Sequence, residues 1–322
     1  MKVRVLVSPF ILAAVAIGAV SAGPRQTASD RQPEPPLRLT PAEIRIYQHA
    51  QTLIDWTPRQ IHECPFLHKL QPAGNQDRLS MVLERVGQTG ALLFHDFPQV
   101  SCDEEVGSAG NYPDASTAFE NMRYTPKHRL FRYIVIPRPV GNALAFEEYR
   151  TDPDGNPLDE SSLRDLFMLT SGFASSWLHF SAADQASSRF RYFGVQTMRN
   201  RECHVVGFAQ DPARAHRVAG FLDPEGKNSG LMFQGLAWVD SQTFEILRVV
   251  TWLLAPRTDI GLTTQTSTVD FYRVQPGGDA RELWLPRDVV VEAAYRDLRV
   301  RNTHHYSNFK LFRVESTIKP AG

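Results

Sequence analysis

The sequence predicts a mainly β protein of the α+β class, built on a curled antiparallel sheet. Runs of β-forming residues follow one another from about residue 129 onward, and segments with turn chemistry join them. No helical stretch separates the later runs, whereas a parallel sheet would need helical crossovers there. The strands are therefore expected to form an antiparallel meander.

Nine runs make up the predicted sheet. The connections "TDPDGNP", "MRNRE" and "VDSQTFE" carry the residues that favour turns. One helix is predicted within the series, at about 159–181. The predicted strands are 130–136, 142–150, 189–198, 203–209, 231–240, 245–254, 266–274, 282–295 and 308–316.

Apolar residues occupy both faces of these strands. In the run 245–254, for example, Ile246 and Val250 share one face, while Leu247 and Val249 lie on the other. Such a sheet must be covered on both faces or must line an apolar cavity. A long meander tends to curl, and helices that partly close it would complete a half-barrel with room for an apolar ligand. A fully packed core is the alternative, and periodicity does not separate the two.

The segment before the sheet predicts a helical and loop-rich extension. Thr40 can cap a first helix, because Pro41 suits the first helical position and Glu43 completes a capping box. A second helix is expected at 77–86, ending at Gly87. We assign residues 40–112 to this extension and 113–322 to the β half-barrel domain.

The N-terminus resembles an export signal. Lys2 and Arg4 precede an apolar stretch, and the small residues up to Ala22 form a cleavage site of the expected kind. The Pro-rich segment 23–39 then predicts a flexible tether. With residues 1–22 as signal peptide, we expect a periplasmic or secreted protein without a later membrane span.

Charge and motif content exclude several functions. The chain has 35 basic and 35 acidic residues, so no basic field favours nucleic acid. No phosphate loop, dinucleotide fingerprint or haem-attachment motif is present, and no cofactor is predicted. His62, Cys64 and His68 lie close together but lack a second ligand pair at zinc spacing, so no metal site is predicted.

The chain contains three cysteines, Cys64, Cys102 and Cys203. An oxidising compartment would allow one disulfide and leave one thiol. Cys64 and Cys102 are the preferred pair because both lie in the N-terminal region, although spacing does not decide the pairing.

The segment "RNTHHYSNF" near the end of the chain could be either a catalytic or metal site or part of a strand. His304 and His305 are adjacent, so on a strand their side chains point to opposite faces and do not share one ion. We interpret the segment as the beginning of the last strand. Tyr306 and Phe309 should pack, and Asn302 and Asn308 suit a loop or a bulge. No catalytic residue is predicted here.

An exported hydrolase remains an alternative function. The sequence lacks a Gly-x-Ser-x-Gly elbow. Because catalytic triads assemble in space, convergence of Ser175, His179 and Asp184 would be the first arrangement to test. A third possibility is a structural or interaction module of the cell envelope that contains no cavity.

Residues 230–316 carry a succession of strands and turns that resembles a known superfamily. "GLAWVDSQTFEILRV" holds an Asp-x-x-Thr turn between two strands, "LWLPRDVVVEAAY" is a strand with a Leu-Pro step, and "HHYSNFKLFRV" is the terminal strand. This pattern resembles the periplasmic lipoprotein-carrier superfamily of LolA-like and LppX-like proteins. The resemblance implies a non-enzymatic half-barrel that shields a lipid or acyl chain. Candidate cavity-lining residues, assigned by position and chemistry, are Trp238, Trp252, Phe271 and Trp284.

Overall fold

The computed structural model describes residues 11–13, 37–95, 99–111, 127–140, 143–158, 178–215, 218–223, 227–277 and 282–312. Within these residues the dominant element is an antiparallel sheet of eleven strands, in the order β2-β6-β7-β10-β11-β12-β13-β14-β3-β4-β5. Its strands are β2 (Gln71–Pro72), β3 (Gln99–Asn111), β4 (Lys127–Val140), β5 (Ala143–Thr151), β6 (Ser188–Met198), β7 (Arg201–Gln210), β10 (Phe233–Asp240), β11 (Ile246–Leu253), β12 (Leu262–Val274), β13 (Leu283–Tyr295) and β14 (Leu298–Phe312).

The predicted class is confirmed, because the described chain is mainly β and its large sheet is antiparallel throughout. The sheet is open: β2 and β5 are its edges and do not pair to close a barrel. A second, smaller sheet joins β1 (Ile11–Ala13), β8 (Ala219–Leu222) and β9 (Asn228–Leu231). No helix among the described residues is long and apolar enough to cross a bilayer.

The strand β3 was not predicted, although it lies inside the sheet between β14 and β4. Its sequence, "QVSCDEEVGSAGN", contains three consecutive acidic residues and two glycines, which are poor strand formers. Pairing on both sides makes it a strand nonetheless. The segment predicted as a helical extension therefore ends in a strand of the main sheet.

Helix α1 begins where the sequence predicted and α3 begins close to its predicted start, whereas α2 was not predicted. Helix α1 (Pro41–Gln48) has Thr40 as its N-cap, and the capping box with Glu43 is formed. Helix α2 (Pro58–Glu63) begins with a second capping box, between Thr57 and Gln60. Helix α3 (Leu79–His95) continues through Gly87 and Gly90, since each glycine inside a helix costs only about 1 kcal/mol. Most of the helix predicted at 159–181, and most of segments 1–22 and 23–39, lie outside the described residues.

Two apolar clusters lie on opposite faces of the sheet. We call the face that carries Val206, Val249 and Val289 the inner face; α3 packs on it through Val82 and Val86. The outer face carries Leu236, Trp238 and Val250 among others, and the segment 53–70 covers it over β6, β7, β10 and β11. The N-terminal extension therefore supplies the cover that one half of the outer face requires.

The alternation predicted for residues 245–254 is broken by an irregularity. Ile246 and Val249 both belong to the inner-face cluster, whereas Leu247 and Val250 belong to the outer one. The register between β10 and β11 shifts beside Trp238, which marks a β-bulge. A bulge adds one residue to one strand, so strict alternation does not hold across it.

Candidate functional site

A row of directly opposed side chains crosses the inner face. Each member pairs in register with the next on the neighbouring strand, and the row spans eight strands from β6 to β3. All of its members are buried. In order, the row is Tyr192, Val206, Ala237, Val249, Val269, Val289, His304 and Val106.

His304 is the one imidazole in this row, and it belongs to a buried polar cluster. The centre of the cluster is Glu104, which is fully buried on β3. Its Oε1 lies 2.8 Å from His304 Nδ1 and accepts a 2.7 Å hydrogen bond from the Tyr306 hydroxyl. Arg150 donates to the same carboxylate through both Nε and Nη2. Four hydrogen bonds therefore occupy the carboxylate, which has about four acceptor positions.

The charge state of Glu104 follows from these partners. Burial acts to raise the pKa of Glu104, but the Arg150 guanidinium and the hydrogen bond from His304 outweigh it and hold the pKa well below its ordinary value. The group is therefore a carboxylate, which accepts hydrogen bonds and donates none. It follows that His304 carries a proton on Nδ1.

Aromatic rings brace the cluster. The Arg150 guanidinium lies 5.1 Å from the centre of the Tyr133 ring, and the Tyr133 hydroxyl donates to Glu148. Tyr306 packs against Tyr133 at 5.3 Å and stacks with His304 at 6.2 Å. Burial raises the pKa of both tyrosines above the ordinary value, so both hydroxyls remain protonated and able to donate.

The second ring nitrogen of His304 is the exception in this cluster. Nε2 is buried and has no hydrogen-bond partner among the described residues. The other side chains of the cluster are hydrogen-bonded: Tyr133 donates to Glu148, and Arg150 and Tyr306 donate to Glu104. His304 therefore presents one polar atom without a partner where the buried polar cluster meets the apolar side chains of the row.

The four candidate cavity residues lie in different places. Trp238 and Trp252 are in the outer-face cluster, where Trp252 stacks on Trp56 at 5.9 Å and Trp238 packs edge-on against Phe66. Phe271 is in the inner-face cluster, and Trp284 contacts both clusters. The structure thus does not bring the four together, and the two outer tryptophans lie beneath the N-terminal extension.

The cysteines chosen as a disulfide pair also lie apart. Cys64 packs in the outer-face cluster and Cys102 in the inner-face cluster, and both are free thiols, as is Cys203. Burial raises the pKa of Cys102 far above its ordinary value, so its reactive thiolate is scarce at neutral pH.

Two of the three hydrolase candidates, His179 and Asp184, lie within the described residues. Ser175 lies outside them. His179 stacks on Phe208 at 4.4 Å, and Asp184 accepts a 2.7 Å hydrogen bond from Ser181 in a turn. No group of His, Cys, Asp and Glu within the described ranges is arranged to hold a metal ion.

The segment "RNTHHYSNF" lies in the middle of β14, which begins earlier than predicted. The two histidines do point to opposite faces, since His305 is exposed and binds Asp288 on the outer face. Tyr306 and Phe309 are both buried, and a bulge with Asn308 at a φ of 52° restores the phase between them. The predicted packing and the bulge at Asn308 are confirmed, but the expectation for Asn302 is wrong, because Asn302 is buried in the regular part of β14 and donates to Ser108. The segment also contributes His304 and Tyr306 to the polar cluster.

Sequence reasoning missed Glu104, Arg150 and Tyr133 as members of a site. In the sequence, Glu104 stands within the acidic run 103–105, a pattern that is typical of solvated charge. One signal was available: Cys102 and Val106 flank Glu104 at a spacing of two residues, which places it on an apolar face if the segment is a strand. The spacing becomes informative only when residues 99–111 are recognised as a strand.

Comparison with known proteins gives structural matches alone. No family model matches the chain, and no curated protein matches its sequence. It is similar in structure to an outer membrane lipoprotein-sorting protein domain from Vibrio parahaemolyticus, at 13% identity and a TM-score of 0.36, over 71% of this chain and 91% of that one.

Two further solved structures are similar. A DUF1329 family protein from Desulfovibrio piger matches at 14% identity and a TM-score of 0.39, over 74% of this chain and 95% of that one. A LolA superfamily protein from Nitrosomonas europaea matches at 13% identity and a TM-score of 0.31, over 73% of this chain and 94% of that one. The protein from Nitrosomonas europaea belongs to the superfamily that residues 230–316 resemble. At TM-scores this low, no ligand and no residue role is carried over.

Proposed function

We propose that this protein is an exported, non-enzymatic binder or carrier of a hydrophobic ligand, such as a lipid or an acyl chain, held against the inner face of the open sheet. The observation that supports it is the buried row across eight strands, in which seven of the eight side chains are aliphatic or aromatic. A surface of this kind offers contacts to a long chain without any special polar motif.

The energetics favour such a ligand. Each methylene group removed from water contributes about 0.8 kcal/mol, so an acyl chain that lies along several strands can bind tightly. The inner face also remains open at both sheet edges, because β2 and β5 do not pair with each other. An open sheet can admit a chain by movement of its covering segments.

The first test is native mass spectrometry of the mature protein from its exported fraction, followed by organic extraction and uptake of a fluorescent fatty-acid ester. A co-purifying lipid, or saturable uptake of the probe, is expected. A protein that is found in the cytoplasm, or that neither carries a lipid nor takes up the probe, would contradict the proposal and favour a cavity-free module.

A pair of adjacent variants localises the binding. Ala293→Trp places a large ring on the inner face, and Ala294→Trp places the same ring on the exposed side of the same strand. We expect Ala293→Trp to reduce probe uptake and Ala294→Trp to leave it unchanged, with both melting curves recorded. Gly235 is unsuitable for this purpose, because a Cβ there would lie 2.1 Å from the Val250 carbonyl oxygen and would disturb the strand itself.

A further inference from the structure

The unused nitrogen of His304 indicates what kind of ligand the inner face accepts. His304 is the seventh of the eight members of the row, between Val289 on β13 and Val106 on β3. A buried nitrogen without a partner has lost the hydrogen bond that it makes with water in the unfolded chain. A ligand group that pairs with Nε2 would restore that bond, so this atom is a natural polar contact for an otherwise apolar molecule.

The tautomer of His304 determines the chemistry of the contact. When the ring carries a single proton, that proton lies on Nδ1, because Glu104 accepts from Nδ1, and Nε2 then offers a lone pair. An acceptor of this kind pairs with a hydroxyl or an amide N–H. The ligand cannot bind at Nδ1, because the Glu104 carboxylate already occupies that nitrogen.

The charges around the ring disfavour an anionic head group. A carboxylate or phosphate at Nε2 would lie only one imidazole ring away from the Glu104 carboxylate, and the two negative charges would repel. The Arg150 guanidinium, which is bound to Glu104 through Nε and Nη2, supplies one positive charge against the two carboxylates of Glu104 and Glu148. Glu148, which accepts from Tyr133 in the same cluster, adds a further acidic group.

We infer that His304 anchors the polar end of the bound molecule, and that this molecule is an amphipathic lipid with an uncharged hydroxyl head group, of the monoacylglycerol class. The inference rests on the proposed function and adds the class of ligand to it. His304 is 2% exposed, so the head group reaches Nε2 only when the segments that cover the inner face move.

The test compares two probes that share one acyl chain. Monoolein carries free hydroxyls, and methyl oleate carries none. Native mass spectrometry with both probes in competition gives the ratio of their affinities for the wild type, for His304→Phe and for the matched control His305→Phe on the exposed face. The affinity ratio of each variant is divided by that of the wild type. This division removes any effect of the different solubilities of the two probes.

We expect His304→Phe to lower the preference for monoolein about tenfold, which is the effect of one lost hydrogen bond of about 1.4 kcal/mol, and to retain methyl oleate. His305→Phe should keep the wild-type ratio. Binding of both probes with equal ratios in all three proteins would overturn the inference and leave the proposed function intact. If the wild type bound neither probe, both the inference and the proposed function would be contradicted.

A measurement on the wild type covers the case in which His304→Phe does not fold. Nitrogen NMR of labelled histidine reports whether Nε2 is hydrogen-bonded. The expected result is a shift of the His304 Nε2 signal on addition of monoolein and no shift with methyl oleate. The inference would be overturned if the shift showed that Nε2 is already hydrogen-bonded without ligand, or if the shift did not change on addition of monoolein.

Discussion

Arg150 reaches across a whole strand to bind Glu104. Arg150 lies on β5 and Glu104 on β3, and β4 runs between them. The guanidinium passes over the Tyr133 ring, 5.1 Å from its centre, and binds the carboxylate through two nitrogens. Both side chains are at least nine-tenths buried. The pair therefore connects three strands near one edge of the open sheet.

Removal of Arg150 should destabilise the protein strongly. Arg150→Met keeps the aliphatic contact but leaves the Glu104 carboxylate buried without its cation, which costs about 3–5 kcal/mol. Arg301→Met is the matched control, because Arg301 pairs with Glu292 on the exposed face and both are more than half exposed. That change should cost no more than about 1 kcal/mol. Urea unfolding measures both, and equal losses would contradict a special role for the buried pair.

Stability should fall in acid through Glu104. Its folded-state pKa lies below the ordinary value of 4.5, although burial opposes this, because Arg150 and His304 favour the charged form. A lowered folded pKa contributes stability that is fully present above the unfolded pKa and is lost as pH falls through the folded pKa. The difference in unfolding free energy between the wild type and Glu104→Gln should therefore shrink steadily below about pH 4. A difference independent of pH would contradict this assignment.

The N-terminal extension should loosen when Arg257 is replaced. Arg257 is 1% exposed and binds Glu43 of α1 at 3.2 Å, while Glu43 also accepts from the Gly230 backbone at 2.8 Å. Arg257→Met leaves Glu43 buried beside an apolar group, so we expect a loss of about 3 kcal/mol. Hydrogen exchange in α1 should accelerate. Arg59→Met, which removes an exposed pair with Glu63, should leave exchange in α1 unchanged.

All three cysteines should react as free thiols in the unfolded protein without prior reduction. Burial raises the pKa of Cys64 and Cys102 and, with the nearby Asp240 carboxylate, raises the pKa of Cys203 to about 11. Alkylation of the folded protein at neutral pH should therefore be slow, because little thiolate is present. In denaturant without reductant, mass spectrometry should find three alkylated cysteines. A single alkylated cysteine would indicate a disulfide instead and contradict the free thiols.

The sequence by itself determined the features that depend on neighbouring residues. The capping box of Thr40 and Glu43, the antiparallel strands from β4 onward and the irregularity at Asn308 all follow from local chemistry. Opposite directions for His304 and His305 follow from the pleat of any strand. For this reason the fold class could be predicted from composition and pattern, and so could most strands.

Only the tertiary structure decided which residues form a site. β3 is weak in β propensity, and pairing with β14 and β4 makes it a strand, so the burial of Glu104 depends on partners distant in sequence. Arg150, His304 and Glu104 are joined by contacts up to 200 residues apart. The same holds for Trp238 and Trp252, which the segment 53–70 covers on the outer face. Local pattern assigns a side chain to a face, but the packing of the other elements determines what lies opposite that face.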